Sequence, residues 1–235
     1  MIRHLSPVPR HDFFITGTDT GVGKTVVAAA LLDAFAHAGN RVIGMKPMAS
    51  GMREGSFRHA NEDVEALVAA SNVDAPIELV NPYCFAPAIA PHLAARQAGV
   101  DITIEHIRAC HEALARLAGC VIVEGAGGLL VPLNATEDWR DVVQALQLPV
   151  VLVVGMRLGC LSHALLTADA LYNRGLSFAG WVANRIEADM PLFDENVETL
   201  RARLTAPLVG VMPYAPDRTR ARMALDLEIL RRTPV

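Results

Sequence analysis

The sequence predicts an α/β fold: a doubly wound, mostly parallel sheet flanked by helices. Two observations carry this. Apolar runs without polar alternation, such as Phe13-Phe14-Ile15, Cys120-Val121-Ile122-Val123 and Pro149 to Val154, read as strands buried on both faces. Between them lie stretches with helical spacing and helix start and stop residues. Such sheets bind ligands at the carboxyl ends of their strands. Gly17, Lys46, Glu124, Gly155, Asn184 and Pro213 all stand at those ends.

Residues 13 to 28 read FFITGTDTGVGKTVVA, a strand, a glycine-rich turn and an alanine-rich helix running to Ala38, with Gly39 as its stop. In that context Gly21, Val22, Gly23, Lys24, Thr25 and Val26 make sense as a phosphate loop. Successive N–H groups cradle an anion, the helix dipole adds to them, Lys24 supplies a charge, and Thr25 offers its hydroxyl to magnesium. The spacing is irregular. Five residues, Thr18 to Val22, separate Gly17 from Gly23, one more than the usual motif has. The plain alternative is a glycine turn between any strand and helix.

Next come a strand over 41–46 closed by Pro47, a loop from Met48 to Arg58, and a helix opened by Asn61 as N-cap. The stretch 81–92, with three prolines, reads as a shaped loop. Thr103 caps a helix over 104–117 whose apolar side is Ile104, Ile107, Leu114 and Leu117. Helices are expected over 138–147 and 161–174 and after Pro191, and strands over 178–183 and 208–212. The five arginines between Arg218 and Arg232, interleaved with Asp226 and Glu228, read as a solvated tail.

The chain has 235 residues, 52% hydrophobic and 20% charged, with a formal charge of −4. One P-loop domain over 1–235 fits, with a flexible N-terminus over 1–11 and a C-terminal tail or helix over 216–235. The charge disfavours a nucleic-acid role. No run reaches membrane-spanning length, and the N-terminus lacks a signal peptide's apolar core. Scattered Cys84, Cys110, Cys120 and Cys160 fit a reduced, cytoplasmic protein.

Glu124 ends a buried strand, where a carboxylate is costly unless compensated, for instance by magnesium shared with nucleotide phosphates. A solvated acid at the strand exit is the alternative. Lys46 is expected beside the first strand, facing the same phosphates as Lys24, where two ammonium groups would lower each other's pKa. The alternative is a solvated lysine before a proline turn. Asp63, behind Asn61 and Glu62, is on the residues alone an ordinary first-turn acid.

The segments GTDTGVGKT (17–25), KPMASG (46–51), NPY (81–83), VEGAGG (123–128), VVGMRLGCLSHALLTA (153–168), GWVAN (180–184) and APLVGVMPY (206–214) together resemble the dethiobiotin synthetase family. The family shares the irregular loop spacing. The resemblance implies a magnesium- and ATP-dependent reaction. One amine of 7,8-diaminopelargonic acid takes up CO2 as a carbamate, the carbamate attacks the γ-phosphate, and the second amine closes the ring, giving dethiobiotin, ADP and phosphate. By the same resemblance, Gly21 to Val26 hold the phosphates, and Thr25, Asp63 and Glu124 ligate magnesium. Lys46 and Lys24 act on the transferring charge. Thr20, Ser50 and Gly127 position the diamine end, with Gly125 and Ala126 in the same glycine run. Asn184, Arg185, Pro213, Tyr214 and Ala215 read the nucleotide. Leu161 and Ser162 bind the substrate carboxylate from the other chain of a homodimer. Ser162 stands where some relatives have Asn, and Arg185 where an acid can occur.

One rival is a nucleotide-switched partitioning ATPase of the same fold group. Its signature lysine would fall at position 19, where this chain has Asp19. A second is an amidoligase, which would carry an added glutaminase domain for which this length leaves no room.

Overall fold

The structure, a computed structural model, describes residues 11–52 and 60–232. The expected flexible N-terminus, apart from His11, and the 53–58 part of the expected loop lie outside the described residues, as do 233–235. In chain order, β1 (Phe13–Gly17) leads into α1 (Lys24–His37), β2 (Val42–Met45) and β3 (Met48–Ser50). There follow α2 (Glu62–Ala70), α3 (Ile77–Val80), β4 (Tyr83–Phe85), α4 (Pro91–Ala98), α5 (Ile104–Leu117) and β5 (Cys120–Gly128). The chain continues with α6 (Trp139–Leu146), β6 (Val150–Met156), α7 (Cys160–Asn173), β7 (Phe178–Arg185), α8 (Phe193–Arg203), β8 (Leu208–Met212), α9 (Arg218–Met223) and α10 (Leu227–Arg231).

Six strands form one sheet in the order β2-β5-β1-β6-β7-β8, every neighbouring pair parallel. Their side chains are apolar on both faces because helices cover both. Phe13 and Ile15 pack into the core that includes Leu31 and Phe35 of α1. Phe14, pointing the other way, meets Trp139 of α6 at a ring-centroid distance of 5.6 Å. Each such fully buried side chain contributes about 1.5–3 kcal/mol relative to exposure.

The topology corrects the expected neighbour of β2. It pairs with β5, and β5 lies between it and β1. One edge of β5 pairs with β2 over Cys120 to Val123, and its other edge pairs with β1 from Ile122 onward. The register has a consequence for chemistry. Met45 pairs with Val123, so Lys46, just past the end of β2, stands beside Glu124, which β5 carries in its middle rather than, as expected, at its end.

Three other expectations change. Residues 48–50 are a strand rather than loop, and the proline-rich 81–92 stretch supplies its parallel partner, with Met48 opposite Tyr83 and Ser50 opposite Phe85. Pro47 and Pro82 precede the two strands instead of interrupting them, so no ladder hydrogen bond is lost. Fully buried Asn81 ties the pair together, donating to the carbonyls of Lys46 (2.6 Å) and Tyr83 (3.0 Å). On α5, Leu117 is exposed while Cys110 and His111 join Ile107 and Leu114 inside, because the helix face turns away at its last residue. The arginine-rich C-terminus is not a solvated tail. Arg218 and Arg222 both pair with buried Asp33 of α1, Leu225 bridges to Gly210 of β8, and Leu230 is buried.

Candidate active site

Helix α1 begins without the usual devices. Its N-cap is Gly23, in the left-handed region at φ 82°, with no capping side chain and no acidic residue in the first turn. The N–H groups there are left for an external anion. By contrast α2, α5, α6 and α9 are each capped by a side chain, from Asn61, Thr103, Asp138 and Asp217. Only glycine fits at position 23. A Cβ there would stand 2.1 Å from Asn184 Nδ2. Asn184, itself buried, donates to the Val22 carbonyl at 2.8 Å and so braces the loop from β7. Lys24 donates to the Asp19 carbonyl at 2.9 Å.

Beneath the loop four side chains converge, Thr25 of α1, Asp63 of α2, Glu124 of β5 and Lys46 of the connection between β2 and β3. Thr25 Oγ1 donates within reach of Asp63 Oδ1 (2.7 Å) and Glu124 Oε1 (2.9 Å). Lys46 Nζ lies 2.5 Å from Glu124 Oε1 and 2.9 Å from Asp63 Oδ2, and also reaches the Gly125 carbonyl at 3.3 Å. Lys46 and Glu124 are buried, so neither is the solvated charge of the plainer reading. Asp63 is more than a first-turn acid, since its carboxylate turns into this cluster.

Burial opposes every charge here, and neighbours decide the balance. Lys24 is lowered to about 8, first by burial and then by Lys46. Burial pulls Lys46 down as well, but Glu124 and Asp63 outweigh it and hold the ammonium above its usual value. The expectation that each lysine lowers the other therefore holds for Lys24 alone. Burial raises Glu124 above the usual carboxylate range against the pull of Lys46. For Asp63, less deeply buried, Lys46 prevails over burial and lowers it.

Over this floor opens a cavity of about 760 Å³. Its lining includes Thr20, Gly21, Gly23, Lys24, Thr25, Val26, Lys46, Ser50, Asp63, Glu124, Ala126 and Gly127 from the sequence-based set. Val22 is buried beneath the loop, and Gly125 lies under the Lys46 ammonium. The remaining candidates do not converge on the cavity. The Arg185 guanidinium stacks over the Phe193 ring at 3.7 Å. Pro213, Tyr214 and Ala215 follow β8, with Tyr214 half-exposed and Ala215 at a positive φ of 41°. Leu161 and Ser162 sit in the first turn of α7, whose N-terminus repeats the open form of α1: left-handed Gly159, no capping side chain, no first-turn acid.

An AAA domain family model matches residues 11–222. The ATP-dependent dethiobiotin synthetase BioD of Nitrosospira multiformis is 53% identical over 219 residues, 93% of this chain and 95% of that protein. The protein of the same name from Aromatoleum aromaticum is 49% identical over 217 residues, 92% of this chain and 96% of its own. The chain belongs to the dethiobiotin synthetase family. Solved structures similar to it include a ParA family ATPase from Chlorobium tepidum (TM-score 0.55, 14% identity, 96% of this chain and 94% of that one). The MinC:MinD complex of Aquifex aeolicus is similar too (TM-score 0.54, 16% identity, 92% and 87%). At these identities they speak to the shared fold alone.

The donor set suits the magnesium this family implies. Two carboxylates and a hydroxyl are the hard oxygen ligands such an ion takes. Glu124 Oε2 is buried without a hydrogen-bond partner in the structure, an acceptor that a cation would satisfy. Sequence reasoning missed the apolar wall facing this charge: Ala49, Val131 and the Ala88–Pro91 segment. The signal was the proline-flanked stretch itself, which read as a loop. Among the described residues no helix is long and apolar enough to cross a membrane.

Proposed function

We propose that this chain, read as a single P-loop domain, makes dethiobiotin from 7,8-diaminopelargonic acid, CO2 and ATP in the cavity above Lys46. The observation that carries this reading is the buried Lys46 ammonium shared between Glu124 and Asp63, with Thr25 bridging the same carboxylates, directly under an uncapped helix N-terminus. The α1 N–H groups and Lys24 bind the ATP phosphates. Thr25, Asp63 and Glu124 hold magnesium, which when bound neutralises phosphate charge. Asn184, Arg185 and the segment Pro213 to Ala215 read the base.

Thr20, Ser50 and Gly127 place the diamine end, while Ala49, Ile89 and Val131 offer its aliphatic chain an apolar wall. One amine, carboxylated by CO2, presents a carbamate oxygen to the γ-phosphorus, and the bond to ADP breaks. The second amine attacks the carbamoyl carbon, expels phosphate and closes the cyclic urea. Lys46 is the cation aimed at the charge that develops on the carbamate and phosphoryl oxygens. A preorganised donor is most effective in such a buried place. ATP turnover measured with and without diamine and bicarbonate tests the reading. ADP is expected only when both are present, matched one-to-one by dethiobiotin. Hydrolysis indifferent to the diamine would sink it.

The open N-terminus of α7 supports a second element of the proposal. The substrate carboxylate of one chain binds at Leu161 and Ser162 of its two-fold partner, so each dimer carries two composite sites. Lys46→Ala and Ser162→Asp, each inactive alone and then unfolded and reassociated in equal amounts, should regain about a quarter of normal activity. A mixture that stays dead although mixed dimers form rules this out.

A further inference from the structure

Asp19 is an odd residue for a loop that must hold a polyphosphate, since a carboxylate close to phosphate repels it. The structure shows what restrains it. Each of its three oxygens holds a different group. The carbonyl accepts from Lys24 Nζ at 2.9 Å, Oδ1 accepts from the Thr20 N–H at 2.7 Å, and Oδ2 meets Arg157 Nη2 at 2.6 Å. Arg157 lies 138 positions away, in the connection between β6 and α7. It does not line the cavity, whereas Thr20 does.

We propose that Arg157 is a positioning residue for the reaction: its ion pair fixes the Asp19 carboxylate, which fixes Thr20 against the diamine end of the substrate. The inference rests on the reading of Thr20 as a diamine contact. Asp19 and Arg157 are both partly exposed, at 47% and 37%. Such a pair adds little to stability. Its effect therefore belongs in kinetics rather than in the melting temperature.

Steady-state kinetics of Arg157→Met, Arg157→Lys, Thr20→Val and Arg157→Met in the Thr20→Val background test this. Arg157→Met should raise the KM for diaminopelargonic acid about tenfold, with the melting temperature and the KM for ATP nearly unchanged. Arg157→Lys should recover most of the loss. On top of Thr20→Val, Arg157→Met should add nothing, because both act through one contact. If Thr20→Val raises the KM for the diamine but Arg157→Met does not, or if their effects multiply, the inference is overturned and the Thr20 assignment stands. If Thr20→Val is silent, the Thr20 assignment falls and takes the inference with it.

Discussion

The two halves of the strand-end rim are built on different principles. Over β2, β5 and β1, the charged groups Lys46, Asp63 and Glu124 pair with one another and with Thr25 at 2.5–2.9 Å, Lys46 and Glu124 buried and Asp63 partly open to water. Over β6, β7 and β8, Asn184 braces the loop backbone, Arg185 stacks on Phe193, and Tyr214 stands half-exposed. The contrast follows from the cost of buried charge. A charge taken from water needs a nearby partner before any ligand arrives, so the charged half is preassembled. A surface made of neutral and stacked groups, such as the one proposed to read the base, carries no such requirement.

Substitutions on the two sides should therefore fail differently. The largest effect is expected at Glu124. Glu124→Gln keeps the shape and removes the charge, and turnover should fall on the order of 10² to 10³ together with magnesium affinity. Titrating magnesium into the variant checks this, since full recovery at high magnesium would reduce Glu124 to an affinity role. On the open side Asn184→Ala leaves the Val22 carbonyl without its donor, a loss of about 1–3 kcal/mol. The KM for ATP should rise about tenfold with turnover little changed, and a collapse of turnover instead would erase the contrast between the halves. The smallest effect lies behind the rim. Asp33→Asn weakens the hold on Arg218 and Arg222, and because the arginines are partly exposed the expected loss is about 1 kcal/mol, measured by denaturant unfolding.

The same contrast explains what the sequence revealed. Elements built from local signals were legible: the glycine loop, the Asn61 and Thr103 caps, and the strands of continuous apolar residues. So were Lys46 and Glu124, as charges at the exits of apolar strands, whereas Asp63 read as an ordinary first-turn acid of α2 until the family resemblance singled it out. What stayed hidden depended on partners far along the chain. Nothing near Val42 announces that its neighbour is Cys120 rather than β1. The three-residue ladder of β3 and β4 exists because buried Asn81 ties it to the Lys46 carbonyl. The C-terminal arginines look solvated until Asp33, 185 residues upstream of Arg218, is placed beside them. The pKa of Lys46 reversed for the same reason, since its two carboxylates arrive from other elements.

The account turns on Lys46 as the cation that meets charge in transfer, rather than one that merely binds ATP. Steady-state kinetics of Lys46→Gln with magnesium saturating test this most directly, the intact fold being checked by circular dichroism. Turnover should fall on the order of 10² while the KM for ATP changes far less. A raised KM for ATP with turnover intact would contradict the account and make Lys46 a ground-state ligand of the phosphates.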